Sequence, residues 1–160
     1  QGPHHGLPGP PARASGSCFQ ELAGARRIDG LRLRIAEALP RFRRRAFYEA
    51  VGLPPVEIAP AGDAQLRAAG MTRLAAATSA ALAVDPGFAG NTPPVVDARR
   101  ALAQLARPLD FDTRDLVRTL GISGRSARRL HELPAAPEVL RAVRVRVALE
   151  DAVAATRAQR

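Results

Sequence analysis

Arginine side chains cluster at one place in the chain, at a spacing that would bring them to a single helix face. Arg125, Arg128 and Arg129 lie three and four positions apart, and residues at that spacing are neighbours on a helix. From Leu116 to His131 the chain holds four arginines and no acidic residue. A guanidinium group binds phosphate through several N–H donors and pairs bidentately with O6 and N7 of guanine. The cluster therefore favours a polyanionic ligand, with duplex nucleic acid foremost.

The residues just before this cluster predict a short helix that ends in a tight turn. Leu116 and Leu120 are four positions apart and share one helix face. Gly121 follows directly, where a chain that leaves a helix often adopts the left-handed conformation. Ile122 would be buried in the turn. Ser123 can then cap a second helix by accepting a backbone N–H.

The cluster itself predicts that second helix, with one apolar face and one basic face. Ala127 and Leu130 are three positions apart and would pack against the first helix. The small side chain of Ala127 would allow a close approach between the two helices. The three arginines would remain on the outer face, where a helix can enter the major groove of DNA.

Two helices joined in this way resemble the helix-turn-helix of bacterial DNA-binding regulators and transposases. The matching residues are Val117, the turn 121–123, and the apolar pair Ala127 and Leu130, and the resemblance covers residues 112–131 of the 160. It implies sequence-specific binding to duplex DNA, either as a transcriptional regulator or as the targeting domain of a mobile-element protein. The implied DNA-binding residues, with the basic side chains beside them, are Arg118, Ser123, Arg125, Ser126, Arg128, Arg129 and His131.

A second resemblance extends from the turn to the last predicted helix. The run Gly-Ile-Ser-Gly-Arg-Ser at 121–126, followed by a basic helix at 140–150, is similar to the C-terminal helix-turn-helix appendage of some bacterial Y1-type transposases. The His-hydrophobic-His motif of the Y1 nuclease is missing, so this resemblance carries over no nuclease activity. No Gly-rich phosphate loop or Ser-His-Asp set is present either, and we expect neither an enzyme nor a cofactor.

The composition predicts an all-α fold. Apolar residues make up 46% of the chain, largely Ala, and aromatic residues only 4%. Ala favours helices, whereas strands are enriched in β-branched and aromatic residues. We expect a multi-helix bundle with a C-terminal three-helix helix-turn-helix unit, whose third wall is a helix at 95–106. The predicted core of that unit comprises Leu102, Leu105, Leu109, Leu116, Val117, Leu120, Ile122, Ala127 and Leu130.

Charge and cysteine content indicate the class of partner and the compartment. The formal net charge is +9, and all 24 basic residues are arginine, which favours nucleic acid ahead of an acidic membrane. The single cysteine, Cys18, allows no intramolecular disulfide and no cysteine-rich zinc site. No apolar run reaches the length of a membrane span, and the first residues lack a signal-peptide pattern. These features predict a cytoplasmic protein that has no membrane partner.

The chain divides into three predicted regions. Residues 1–16 are rich in Pro and Gly and are expected to form a disordered arm. Within it, Gln1-Gly2-Pro3 resembles part of a viral 3C-type protease site, and His4-His5 resembles the remnant of a tag. Residues 17–86 would form an N-terminal helical region, including an Ala-rich helix from about 63 to 84. Residues 87–160 would hold the helix-turn-helix and a last helix at about 138–157.

Three further sets of charged residues have more than one interpretation. A second basic patch, at Arg41, Arg43, Arg44 and Arg45, would either grip phosphates or form a solvated helix face. The last helix would pack its apolar side on the helix-turn-helix, with a DNA contact or a homodimer face as alternatives. Three aspartates near 112 are expected to cap a helix and not to bind a metal.

One alternative function belongs to a different class of protein. A helical adaptor that binds an acidic protein partner without DNA contact would have similar Ala-rich helices and Pro-rich joints. A helical part of an enzyme whose catalytic half lies outside this chain is a third reading. A continuous basic face would favour DNA, whereas an apolar groove rimmed by arginines would favour a protein partner.

Overall fold

The structure is a computed structural model that describes Gln20, residues 25–27 and residues 59–158. These residues contain no strand, and the predicted all-α fold is confirmed in them. Their elements are α1 (Asp63–Leu82), α2 (Pro93–Ala106), a 3₁₀ turn (Arg107–Leu109), α3 (Thr113–Leu120), α4 (Gly124–Glu132) and α5 (Pro137–Ala158). The arm at 1–16 and the second basic patch at 41–45 lie outside the described residues.

Helix α1 is lightly charged because most of it is buried. It packs against α5, α2 and α3, and Leu66, Leu74 and Ala77 are fully enclosed. Thr78 is also buried, and its hydroxyl donates to the carbonyl of Leu74 at 2.8 Å, so the polar atom is satisfied within the helix. The helix is kinked at Gly70, where φ is 74° and ψ is 167°. The predicted interruption at this glycine is therefore confirmed.

Helix α5 is apolar on more than one side, as expected of a helix inside a core. Val143 and Val147 join the core shared with α1 and α2, and Val145 and Leu149 are also buried. The helix packs mainly along α1 and also on α2. This corrects the prediction that it packs on the helix-turn-helix, because periodicity identifies a buried face but not the helix that covers it.

Two of the three arginines of α5 make contacts within the fold. Arg144 donates to the carboxylate of Asp63 at 2.6 Å and to the carbonyl of Ala61 at 2.9 Å. Arg146 pairs with Glu150 and donates to the side-chain oxygen of Gln20. Arg141 is exposed. These contacts join the start of α1 to α5.

One hydrophobic core connects all five helices. It extends from Ala61 to Val147 and includes residues on both sides of position 86, where the sequence placed a region boundary. The nine residues predicted for the three-helix unit all belong to it or pack against it. Leu102, Leu105, Leu109, Leu116, Leu120 and Ala127 are buried, and Val117, Ile122 and Leu130 are half-buried.

The loop between α1 and α2 is anchored by an aromatic side chain. Phe88 is 0% exposed and has a φ of 52°, which is uncommon for a residue other than glycine. Arg99 of α2 donates to the carbonyl of Phe88 at 2.6 Å and to the side chain of Asn91 at 3.1 Å. Burial of the ring and these two hydrogen bonds hold the loop on α2.

A short segment from the N-terminal half joins α1 to α5. The backbone N–H of Arg27 donates to the carbonyl of Ala81 at 2.6 Å, and its guanidinium lies 2.8 Å from the carboxylate of Glu138. A hydrogen bond from its own backbone N–H and the one from Arg27 lower the pKa of Glu138 below its ordinary value. Any stabilisation from this pair is present above the ordinary pKa and is lost as the pH falls through the lowered value.

None of the described helices is both long enough and apolar enough to cross a membrane.

Candidate nucleic-acid interface

The turn between α3 and α4 has the geometry that its residues predict. Gly121 has a φ of 60°, and its N–H donates to the carbonyl of Val117. The N–H of Ile122 donates to the same carbonyl at 3.3 Å. Ser123 then caps α4, because its hydroxyl accepts from the N–H of Ser126 at 3.2 Å. Local residue chemistry therefore determines both the end of α3 and the start of α4.

The start of α3 is capped by an aspartate. A side-chain oxygen of Asp112 accepts from the N–H of Arg114 at 2.8 Å. Within the described residues, no group of three His, Cys, Asp or Glu side chains is placed to hold a metal ion.

Helix α4 packs on two other helices through its apolar side. It contacts α2 and α3, Ala127 is 0% exposed, and Leu130 is half-buried. The exposed side chains of the helix are all polar or charged: Arg125, Ser126, Arg128, Arg129 and Glu132. The two helices and the turn thus present three arginines to solvent on a rigid support.

The cations of this surface differ in how firmly they are held by the protein. Arg118 of α3 lies 3.2 Å from the carboxylate of Asp115, but its side chain is 80% exposed. The Nε of Arg128 donates to the carbonyl of Gly124 at 3.4 Å, which places this side chain over the first turn of α4. Arg125 and Arg129 make no ion pair or side-chain hydrogen bond with the residues that the structure describes. All four guanidinium groups remain accessible to a ligand.

The end of α4 carries two residues that modify this picture. His131 is half-buried, and its Nδ1 is enclosed without a hydrogen-bond partner in the described part of the chain. Its predicted DNA contact would therefore require its more accessible atoms. Glu132, the last residue of the helix, is exposed and adds one negative charge to the arginine-bearing face.

Two exposed arginines near this surface were missed in the sequence. Arg114 lies one turn before Arg118, and the spacing of four positions on α3 could have indicated it. Arg107 follows α2 and is 3.5 Å from the carbonyl of His131, a contact between residues distant in sequence that no local pattern predicts. Both would add positive charge around α3 and α4.

No protein-family model, no curated protein and no solved structure matches the chain. The argument for a function therefore uses the geometry and charge of α3 and α4 themselves.

Two glycines beside the turn allow a matched test of its backbone geometry. Gly121→Ala is expected to lower the free energy of unfolding by about 1–2 kcal/mol, because an L side chain is strained in the left-handed conformation. Gly124→Ala is the control, since its φ is not positive and an added methyl group would meet open space. That variant is expected to raise the stability by about 0.4–1 kcal/mol. Equal effects of the two substitutions in urea unfolding would contradict the turn described here.

Proposed function

We propose that this protein binds duplex DNA in a sequence-specific manner, with α4 in the major groove. Arg125, Arg128 and Arg129 would reach base edges and phosphates, and Arg118 would contact the phosphate backbone beside them. The hydroxyls of Ser123 and Ser126 would lie near the backbone at the start of α4. Such a protein would act as a transcriptional regulator or as the targeting domain of a mobile-element protein.

The observation that carries this proposal is the division of α4 into two faces. Its apolar residues, Ala127 and Leu130, are turned into the core, and its three arginines are exposed together. Recognition helices of this size insert one face into the major groove and support the other on neighbouring helices. An exposed face rich in guanidinium groups suits phosphates and guanine edges.

The first turn of α4 has the features expected at a groove. Recognition helices contact base edges mainly with their N-terminal residues. Arg125 lies in this turn, and the hydrogen bond from Arg128 to the carbonyl of Gly124 keeps the second guanidinium close to it. The hydroxyls of Ser123 and Ser126 are 3.0 Å apart at the same end of the helix. Donors for bases and donors for phosphates are therefore side by side.

The adaptor alternative receives less support from the same surface. A partner helix would need apolar side chains in a groove between the arginines. The exposed side chains of α4 are instead polar or charged, and its apolar side is already covered by α2 and α3. A basic, hydrophilic helix face favours DNA.

The test is a fluorescence-anisotropy titration of the full chain with mixed-sequence duplex DNA across a series of salt concentrations. The affinity is expected to fall linearly on a log–log plot, with a slope of about −0.9 for each phosphate contacted. Polyglutamate serves as a polyanion that lacks grooves and bases. No binding to duplex DNA at low salt, or equal affinity for both polymers, would reject the proposal and favour an acidic protein partner.

Selection from a pool of random duplexes then tests sequence specificity. Guanine-containing sites are expected, because Arg pairs bidentately with O6 and N7 of guanine. A pool that remains random after repeated rounds would reduce the proposed function to non-specific DNA binding.

A further inference from the structure

The structure places an amide side chain of α2 against the end of α4. The Nε2 of Gln104 donates to the carbonyl of His131 at 2.8 Å and to the carbonyl of Leu133 at 3.0 Å. The two acceptors lie at the C-terminal end of the arginine-bearing helix, and Gln104 is 27 and 29 positions away from them in the chain. One side chain therefore bridges two helices at a point where the core does not.

The acceptors are groups that need a partner. The last carbonyls of an α-helix have no acceptor role inside the helix, and they carry the negative end of its dipole. A half-buried amide can satisfy two of them with its two N–H groups. Arg107, one turn further along the chain, adds a third donor at 3.5 Å from the carbonyl of His131.

The apolar contacts of α4 leave its direction weakly constrained. In α4 itself Ala127 is the only residue that the structure describes as fully buried, and it contributes a single methyl group. Rotation of the helix about that contact would move Arg125 and Arg128 at the opposite end from Gln104. Hydrogen bonds at the C-terminal end oppose that rotation, since they are directional whereas apolar contacts are not.

From this geometry we infer that Gln104 is a positioning residue for DNA recognition. It fixes the orientation of α4, and thereby the placement of its arginines in the groove, without touching DNA itself. The inference rests on the proposed function for its consequence at DNA. The restraint on α4 exists in the free protein and can be measured there.

The first experiment examines the free protein by amide hydrogen exchange. Gln104→Met has a similar length but no donor, and it is expected to speed exchange by about ten-fold at the last amides of α4. Amides of α1 and α5 should keep their protection. Gln104→Lys supplies donors again and should restore protection, because a cation is also favourable at a helix C-terminus.

A matched control removes a glutamine hydrogen bond elsewhere. The side-chain oxygen of Gln65 accepts from the N–H of Gly62 at 3.0 Å, at the start of α1. Gln65→Met should leave the exchange of α4 unchanged. Unaltered exchange of α4 in Gln104→Met, or the same change in the Gln65→Met control, would overturn the positioning role.

The second experiment measures affinity for a preferred duplex and for a random duplex. All arginines remain in Gln104→Met, so the non-specific affinity and its salt slope should be unchanged. Affinity for the preferred duplex should fall by about ten-fold, which lowers the ratio of the two. Equal losses on both duplexes, or no loss on either, would overturn the inference. If the unaltered protein binds no DNA, the proposed function fails, and the exchange data still decide whether Gln104 restrains α4.

Discussion

Simultaneous replacement of Arg125, Arg128 and Arg129 by Ala is expected to abolish specific DNA binding and to reduce the salt slope by up to about three contacts. The three guanidinium groups are exposed on one side of α4, and they are the main source of phosphate and base contacts in the proposed complex. The fold should be retained, because Ala127 and Leu130 hold the helix and none of the three arginines belongs to the core. Anisotropy titration, with circular dichroism as the test of folding, measures both effects.

The control for this variant is an exposed arginine on another helix. Arg141 of α5 lies outside the proposed interface, and its replacement by Ala should weaken binding only through the loss of one net charge. Comparable losses for Arg141→Ala and for single variants of α4 would indicate a diffuse effect of charge, in contradiction of a defined interface. A triple variant that still selects the same site would remove α4 from the mechanism.

Single variants divide the three arginines by role. Arg128→Ala is expected to weaken binding to the preferred site by about 1–3 kcal/mol if the side chain touches a base, and to relax the preference at that position. An arginine that contacts only phosphate should instead weaken binding to all sequences alike. Unchanged affinity in Arg128→Ala would remove this residue from the base-reading set.

The second large effect concerns stability. Phe88→Ala is expected to lower the free energy of unfolding by about 3–5 kcal/mol, because it removes a fully buried ring and leaves a cavity under the loop. Phe111→Ala makes the same chemical change at a half-buried position that packs at the margin of the core. Its effect should be distinctly smaller. Urea unfolding of the two variants gives the comparison, and equal losses would contradict the burial described for Phe88.

The features that the sequence predicted well are those decided within a few residues. Gly121 allows the left-handed conformation, and Ser123 carries the hydroxyl that caps α4, so the turn between α3 and α4 follows from adjacent residue types. The kink at Gly70 is a local effect of the same kind. For similar reasons, the exposed arginines of α4 could be identified from helical spacing alone.

The features that the sequence did not predict depend on contacts between distant residues. Gln104 lies in a helix whose apolar residues alone were interpreted, and nothing near it in the chain indicates its acceptors in α4 and beyond. Phe88 lies in a stretch rich in Gly and Pro that was expected to be a surface loop, but it is buried. Apolar spacing predicted a buried face on α5 without identifying α1 as its main partner. In each case the missing information is tertiary.

The common core sets a lower limit on the size of any fragment that could work on its own. Cleavage of the chain at position 86 would separate Leu66 and Leu74 from the helices that enclose them, and it would uncover Val143 and Val147 of α5. Burial of such side chains contributes about 1.5–3 kcal/mol each, which is large beside the net stability of a small domain. A piece reduced to α2–α5 would thus expose an apolar surface in water and tend to aggregate. Trimmed versions of the protein, whether for crystals or for fusion to another domain, need to begin before Ala61.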